Sequence, residues 1–312
     1  MIPDSVTTIG DKMFSNCSSL TSIVIPEGVT KIGNEAFSNC SSLTSIVIPE
    51  SVTTIGKDTF GECSSLGSID VSPENEVYSS YEGVLFNKDK TILISYPCGG
   101  AAQYRIPWGV KSIEEGAFFN RSRLVSVVIP ESVTTIGDYA FNFCRGLTSI
   151  VMGNNVTSIG VGAFKNCRNL NSIDIPDGVT TIGSEAFYNC CSLTSIVIPN
   201  SVTVIGNSLF WECGDLKSVV IGNRVTTIGS FMFWECSGLT SLVIPASVTS
   251  IGEGAFIKCS SLVSIYFKGD APELNKDGFS DCPAIVYYPE GKNGWEESYG
   301  GRPTAKWINR PE

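Results

Sequence analysis

Short stretches of alternating apolar and polar residues recur along this chain with a fixed period of 23 residues. One copy, residues 43–56, reads Leu-Thr-Ser-Ile-Val-Ile-Pro-Glu-Ser-Val-Thr-Thr-Ile-Gly. Because strand side chains alternate between two faces, Ile46 and Ile48 share a buried face and Val47 points outward. Pro49 ends this strand, and Val-Thr-Thr-Ile forms a second extended segment rich in β-branched residues. The fixed period predicts a solenoid of stacked repeats.

The segment that follows each Ile-Gly pair predicts the rest of the repeat. Glycine turns the chain there, and a stretch such as residues 34–40 is expected to make one short helical turn that buries alanine and phenylalanine. A phenylalanine follows five residues after the isoleucine of each repeat, and these residues form a column: Phe14, Phe37, Phe60, Phe118, Phe141, Phe164, Phe187, Phe210, Phe233, Phe256 and Phe279. The column predicts about eleven turns.

The period is interrupted once, because 58 residues separate Phe60 from Phe118. Within the interruption, residues 83–86 and 91–96 flank a polar loop and predict a hairpin. We interpret residues 70–103 as one enlarged repeat that carries this hairpin, since no linker-like composition flanks it. The sequence therefore predicts a single solenoid over residues 1–285. The non-repeating tail, which contains Trp295 and Trp307, predicts a C-terminal cap over residues 286–312, with an aromatic ligand site as the alternative.

The consensus repeat, Cys-Ser-Ser-Leu-Thr-Ser-Ile-Val-Ile-Pro-Glu-Ser-Val-Thr-Thr-Ile-Gly-x-x-Ala-Phe, closely resembles that of BspA-like leucine-rich repeat proteins. The resemblance covers nearly the whole chain, and it extends to the insertion at residues 83–89 and to the Tyr-Tyr-Pro ending at residues 287–289. It implies a leucine-rich-repeat solenoid of short parallel β-strands stacked in a curved ladder, with short helical turns or loops on the other side. It also implies a surface protein of bacteria or some protists that adheres to host or matrix proteins. The family offers no fixed set of ligand-binding residues to transfer to positions here.

Composition narrows the range of functions. The chain has no histidine, which removes Ser/His/Asp triads, Cys/His dyads and HExxH metal helices and leaves only carboxylate and lysine chemistry. No unique polar cluster stands out from the repeats, so we expect no enzyme and no cofactor. The net charge of −10 disfavours nucleic acid and anionic membranes as partners. No apolar run approaches the ~18 residues of a membrane helix, so we expect no membrane insertion.

The twelve cysteines raise the question of metal binding or disulfides. Cys98 and Cys191 stand outside the repeat, and Arg121 occupies the cysteine position once. The other ten share one repeat position: Cys17, Cys40, Cys63, Cys144, Cys167, Cys190, Cys213, Cys236, Cys259 and Cys282. Metal sites need ligand spacings such as C-x-x-C, which are absent here. Cysteine is commonly buried as a small apolar residue, so we expect buried free thiols in a column and no metal site.

The outward positions of the first strand are the candidate ligand-binding residues, on the side of the solenoid that we expect to be concave. They are Val24, Val47, Asp70, Val128, Val151, Asp174, Val197, Val220, Val243 and Tyr266. A row of serines runs beside them. Such an extended face suits a protein ligand and does not suit a small-molecule pocket. The alternative is that these β-branched residues only favour strand formation.

Two further surfaces have weaker functional interpretations. The paired threonines of the second strand, such as Thr134 and Thr135, are expected to be solvated, and contact with a polysaccharide is the alternative. Acidic residues of the insertion, among them Glu74 and Glu82, match no EF-hand spacing, so a solvated hairpin is expected in place of a calcium site. The hairpin itself is a further candidate for contact with a partner.

We therefore predict a non-catalytic protein-binding or adhesion module of a secreted or cell-surface protein. Its partner would be a host or matrix protein, or another surface protein, and we expect a monomer. The alternative is a structural spacer, or a fragment of a larger surface protein with no ligand of its own. The first residues lack the features of a signal peptide and begin in mid-repeat, so we expect that neither a signal peptide nor an anchor is present in this chain.

Overall fold

The structure, a computed structural model, describes residues 2–307 and shows a solenoid of short β-strands that stack in parallel ladders. Ser126, Val127 and Val128, for example, pair in parallel register with the residues 23 positions later. The predicted fold class is confirmed. Met1 and residues 308–312, which include the end of the predicted cap, lie outside the described residues.

Two ladders run along the solenoid, one for each extended segment of the repeat. The Thr-Ile ladder consists of β1 (Thr8–Ile9), β2 (Lys31–Ile32), β4 (Thr54–Ile55), β10 (Ser112–Ile113), β12 (Thr135–Ile136), β14 (Ser158–Ile159), β16 (Thr181–Ile182), β18 (Val204–Ile205), β20 (Thr227–Ile228), β22 (Ser250–Ile251) and β24 (Glu273–Leu274). The Ser-Val ladder consists of β3 (Ser45–Ile48), β5 (Ser68–Val71), β9 (Gln103–Arg105), β11 (Ser126–Val128), β13 (Ser149–Val151), β15 (Ser172–Ile173), β17 (Ser195–Val197), β19 (Ser218–Val220), β21 (Ser241–Ile244), β23 (Ser264–Phe267) and β25 (Ile285–Tyr288).

Each turn runs from a Thr-Ile strand through a buried aromatic residue to the next Ser-Val strand. We number the turns by that residue: Phe14, Phe37, Phe60, Tyr96, Phe118, Phe141, Phe164, Phe187, Phe210, Phe233, Phe256 and Phe279. Outside the junction between turns 3 and 4, successive rings stack with centroids 4.6–6.1 Å apart. Offset stacking of this kind adds to the apolar area that each ring buries. The aromatic column is therefore the spine of the core.

The insertion contributes one more turn than the eleven that the phenylalanine column indicates. β6 (Tyr78–Tyr81) and β7 (Val84–Asn87) pair antiparallel, and β7 pairs antiparallel with β8 (Ile92–Ser95). β8 then joins the Thr-Ile ladder, because Leu93 pairs in parallel with Ile113. Tyr96 replaces phenylalanine and stacks on Phe118 at 5.1 Å. This turn is hard to recognise in the sequence, because Tyr96 replaces phenylalanine and lies 22 residues before Phe118, one fewer than the period.

The predicted short helical turns are not present, since no residue from 2 to 307 is helical. The aromatic segment instead forms consecutive tight turns with two left-handed residues four positions apart. In turn 8 these are Glu185, with φ of 59°, and Asn189, with φ of 56°. A right-handed helix excludes positive φ, so the segment cannot continue as one. The same two positions have positive φ in almost every turn.

The glycine of each Ile-Gly pair is required for close approach of neighbouring turns and does not provide a left-handed bend. A Cβ atom at Gly183 would lie 2.5 Å from the backbone nitrogen of Val161 in the preceding turn. Its φ is not positive, unlike that of the residue two positions later. Glycine thus lets the backbones of successive turns pack at strand spacing.

At the C-terminal end, the ladder continues beyond the last 23-residue repeat. β27 (Arg302–Lys306) pairs in parallel with β25 and antiparallel with β26 (Ser298–Tyr299). Trp295 packs against Phe267, with ring centroids 4.9 Å apart, and thereby covers the end of the core. The division of the chain at residue 285 stays a prediction.

Candidate functional site

Eight of the ten candidate ligand-binding residues lie on strands of the Ser-Val ladder, and Val24 and Asp174 occupy the same repeat position outside the strands. We call this row with its flanking serines the strand face. Neighbouring members pair directly across adjacent strands, as Val128 and Val151 do. Seven of the ten are exposed, and Val128, Val243 and Tyr266 are half-buried. Val24 is 77% exposed and Val151 is 61% exposed. Exposed fractions this large leave these apolar side chains open to solvent and to a partner.

Sequence reasoning missed one member of the row, Arg105. This residue lies on β9 opposite Val128, and its side chain is exposed. It belongs to turn 4, which the insertion separates from the regular spacing. Its spacing could have identified it, because Arg105 lies 23 residues before Val128. The candidate row includes only repeats with a phenylalanine, and turn 4 has Tyr96 instead.

Charged residues divide the strand face into apolar blocks. Asp70 and Arg105 separate the first two valines from the later ones, and Asp174 interrupts the run between Val151 and Val197. The Asp70 carboxylate accepts a hydrogen bond from Ser68 Oγ at 2.8 Å, so it is held beside its own strand. The face therefore carries a sequence-specific pattern of apolar blocks and charges along its length.

A groove of about 320 Å³ opens on the strand face between turns 9 and 10. Val220 and Val243 line it, together with Lys217 and Lys268. One turn earlier, Ile198 N donates to Val220 O at 2.8 Å, whereas within the described residues β19 and β21 do not pair. The Thr-Ile ladder is interrupted at the same junction, between β18 and β20. The groove thus presents backbone polar groups beside apolar side chains and two ammonium groups.

Aromatic side chains close the C-terminal end of the strand face. Tyr266 stacks on Tyr287 with centroids 4.9 Å apart, and the Trp307 ring lies edge-on to it at 6.0 Å. These contacts explain why Tyr266 is half-buried. Its ring therefore acts partly as a packing residue of the end strands and offers only one free edge to a ligand.

The exposed threonines beside the Thr-Ile ladder donate their hydroxyl groups to backbone carbonyls of the preceding turn. Thr157 Oγ1 donates to Thr134 O at 3.1 Å, and Thr180 Oγ1 donates to Thr157 O at 3.2 Å. These bonds link successive turns on the Thr-Ile side. A polysaccharide would compete with them for the same hydroxyl protons, so the structure favours the solvated-strand interpretation of the threonines.

The acidic residues of the insertion do not converge. Glu74 accepts a hydrogen bond from Ser72 Oγ at 2.8 Å, which together with a backbone bond lowers the pKa of its carboxyl group. Over the described part of the chain, no group of three or more His, Cys, Asp or Glu residues is placed to hold a metal ion. The insertion is thus an antiparallel three-stranded sheet with solvated acidic side chains.

The cysteine column is a ladder of buried thiols, with every cysteine of the chain unpaired. In turns 2–4 and 6–11 the thiol donates to the carbonyl of the aromatic residue in the preceding turn, as Cys167 Sγ does to Phe141 O at 3.1 Å. Cys98 also belongs to this column, because its thiol lies 3.5 Å from Phe60 O. The prediction that it stands outside the repeat is therefore wrong. Of the ten predicted members, only Cys17, in the first turn, is exposed.

Thiol reactivity should follow this burial. In the native protein we expect a thiol reagent to label Cys17 readily and the half-buried Cys191 slowly, while the ten buried thiols stay protected. Burial excludes the reagent, and it also raises the pKa of thiols such as Cys167 and Cys190. In denaturant, all twelve should react. Mass spectrometry of labelled peptides checks this expectation, and rapid native labelling at Cys167 or Cys190 would contradict it.

A family model described as the BspA type leucine rich repeat region matches six copies in this chain, over residues 1–97, 94–214 and 180–289. No curated protein matches the chain.

Among solved structures, a leucine rich cell surface protein from Faecalibacterium prausnitzii A2-165 is 39% identical, with 70% of this chain and 58% of that one covered and a TM-score of 0.63. The pneumococcal vaccine antigen PcpA is 26% identical, with 93% and 62% covered and a TM-score of 0.58. A leucine-rich repeat protein from Eubacterium ventriosum is 26% identical, with 81% and 74% covered and a TM-score of 0.60. The chain thus spans less than two thirds of the first two proteins.

Proposed function

The chain belongs to the BspA-type leucine-rich repeat family, and from this membership and the strand face we propose that it is a non-catalytic, protein-binding adhesion module. Repeats of this class generally mediate interactions between proteins. The observation that carries the proposal is the row of exposed valines at one register position, found in five of the twelve turns: Val24, Val47, Val151, Val197 and Val220. Exposed apolar stripes of this extent mark sites of protein association.

A location outside the cell or on its surface fits the same evidence. One similar structure is that of a cell surface protein, and another is that of a vaccine antigen. In residues 2–307, no helix has the length and apolar character needed to cross a membrane. We propose that the module is displayed by a longer surface or secreted protein, with a host or matrix protein, or another surface protein, as its partner.

The groove between turns 9 and 10 gives the proposal its most specific element. An extended segment of a partner could place apolar side chains on Val220 and Val243 and form hydrogen bonds to the unpaired strand edges. Lys217 and Lys268 favour acidic groups on that segment. The bound segment of the partner would then extend from the groove along the exposed valines toward turn 6.

Paired arginine substitutions test the strand face. We expect Val151→Arg with Val197→Arg to weaken capture of a partner from a panel of purified host extracellular matrix proteins by about tenfold or more, because two charges would be desolvated in an apolar interface. Surface plasmon resonance on the immobilised protein measures this effect. The matched control is Thr157→Arg with Thr203→Arg, which adds the same charge at exposed positions on the Thr-Ile side of the next turns along the chain, 7 and 9.

Circular dichroism should show that both double variants fold. Binding that the Val151 and Val197 pair leaves unchanged, or that the control pair weakens equally, would refute docking on the strand face. Absence of binding by the unmodified protein to every member of the panel would favour the structural spacer.

A further inference from the structure

The junction between turns 3 and 4 lacks the backbone hydrogen bonds that join the other aromatic segments. At the junctions before it and at those from turn 5 onward, three N–H groups of each segment donate to the next turn, as Phe37 N does to Thr59 O at 2.9 Å. Among the hydrogen bonds of residues 2–307, the N–H groups of Asp58, Phe60 and Glu62 have no acceptor. Phe60 is buried, and buried backbone donors are rarely left unpaired, so its amide points to a missing partner, whereas Asp58 and Glu62 are exposed to solvent.

A cleft of about 270 Å³ lies at this junction, and Asp58 and Phe60, the residues with unpaired amides, are among those that line it. Phe60, Leu85 and Ile94 give it an apolar lining. At its rim, Lys57 Nζ donates to both carboxylate oxygens of Glu115, at 3.0 and 2.8 Å. The cleft is at the small end of the range for ligand sites, so it suits a ligand about the size of one amino-acid residue.

A buried guanidinium group also lines the cleft. Arg121 is only 3% exposed, because it occupies the cysteine position of turn 5. Its Nε donates to Tyr96 O at 2.5 Å, and its Nη1 donates to Phe119 O and to Cys98 Sγ, the latter at 3.0 Å. Nη2 reaches only Ser95 Oγ, at 3.4 Å. Within the described chain, Arg121 forms no salt bridge. A buried cation without a carboxylate is costly unless another anion compensates it.

The carboxylates around the cleft limit the negative charge that a ligand can carry to the one charge that the guanidinium can compensate. The Lys57 ammonium is already paired with Glu115, which leaves the guanidinium as the available cation. Desolvation raises the pKa of the Asp58 carboxyl group, and Arg121 opposes this rise to a smaller extent. A dianionic phosphate would face Asp58, Glu114 and Glu115, whereas a carboxylate adds one charge and accepts bonds from a planar donor set.

We propose that the cleft between turns 3 and 4 binds a small monocarboxylate with an apolar body. The carboxylate would accept hydrogen bonds from the amides of Asp58 and Phe60 and from the Arg121 guanidinium, and the body would lie on Leu85 and Ile94. The ligand is either a free small acid or the C-terminal residue of a peptide, which have this chemistry in common. The site is separate from the strand face and does not depend on the function proposed for it.

Amide-detected NMR with N-acetyl-leucine as the probe tests this proposal. We expect chemical-shift changes at the amides of Asp58 and Phe60 and none with N-acetyl-leucinamide, which lacks the charge. Arg121→Cys should weaken binding about tenfold or more, the loss expected for a charge-assisted contact. Because cysteine occupies this position in neighbouring turns, the variant keeps the repeat consensus. The matched control, Arg123→Ser, removes a charge two residues away and should leave binding unchanged.

The unmodified protein alone can overturn the proposal. No shift at Asp58 or Phe60 with millimolar N-acetyl-leucine, or equal shifts with the leucinamide, would contradict it, as would unchanged binding by a folded Arg121→Cys variant. The tripeptide Ser-Ser-Leu, with a free carboxylate, separates the two sources. Binding of the tripeptide together with N-acetyl-leucine supports a peptide terminus, and binding of N-acetyl-leucine alone supports a free acid.

Discussion

Replacing Phe164 with alanine is expected to lower the free energy of unfolding by about 3–5 kcal/mol. The ring is fully buried and stacks at 5.3 Å on Phe141 and at 5.5 Å on Phe187. The backbone of turn 7 cannot collapse into the space, because Phe164 N donates to Ala186 O at 2.8 Å and fixes the distance between turns. Urea denaturation followed by far-UV circular dichroism measures the loss.

Trp108→Ala provides the control for this substitution. Its side chain is 78% exposed, so its removal should change stability by no more than about 0.5 kcal/mol. A loss below about 1 kcal/mol for Phe164→Ala would show that the aromatic column is not the spine of the core.

Raising the pH from 8 toward 11, with a reductant present, is expected to destabilise the protein steeply. Burial raises the pKa of Cys63 and of Cys144 from 9.0 to about 12, and it raises the pKa of most other thiols of the column. An unfolded chain would ionise these thiols near their ordinary pKa, whereas the folded chain keeps them protonated. The unfolded state then binds fewer protons, so stability falls as the pH rises.

The pH range over which stability is lost follows from these pKa values. The contribution of each thiol is complete below pH 9 and is lost as the pH rises toward 12, at about 1.4 kcal/mol per pH unit for each group that stays protonated only in the folded state. Burial of Tyr96, whose pKa rises to about 12, acts in the same direction. Urea midpoints recorded between pH 7.5 and 10.5 test the slope.

A variant with Cys144→Ala and Cys167→Ala should show a shallower slope, because it lacks two of these groups. The comparison is made on slopes, which removes any constant effect of the substitutions on stability. Equal slopes for both proteins, or a midpoint independent of pH above 9, would contradict the linkage between thiol burial and stability.

The regular part of the fold could be predicted because each turn repeats the same few constraints. Ile46 and Ile48 alternate with Val47, and both isoleucines are buried in β3 as the pattern requires. The helical turn was predicted wrongly, since alanine and phenylalanine at neighbouring positions fit a helix equally well. The left-handed residues that exclude it, such as Glu185, have no strong sequence signal because their strain is balanced by hydrogen bonds between turns.

The candidate sites differ in how far the sequence reveals them. The strand face follows from the alternation of side chains, so its exposed valines were predictable from spacing, and its role in binding stays a prediction. The cleft lies where the backbone N–H groups of Asp58 and Phe60 form no hydrogen bonds to the next turn. Only Arg121 signals it in the sequence, as a charged residue in a column of thiols. The 23-residue repeat therefore does not predict the cleft, which forms only at the insertion between turns 3 and 4.

Strand β7 also divides the apolar interior into two parts. Leu85 packs with the residues of turns 1–3, whereas Val84 and Phe86 pack with those of turns 4–12. In a repeat protein, cooperativity of unfolding passes from turn to turn through shared interfaces. It should therefore weaken at β7, so that the first three turns can open as a separate unit while the remainder stays folded. A ligand in the neighbouring cleft would contact both units and join them thermodynamically, without any change in either one.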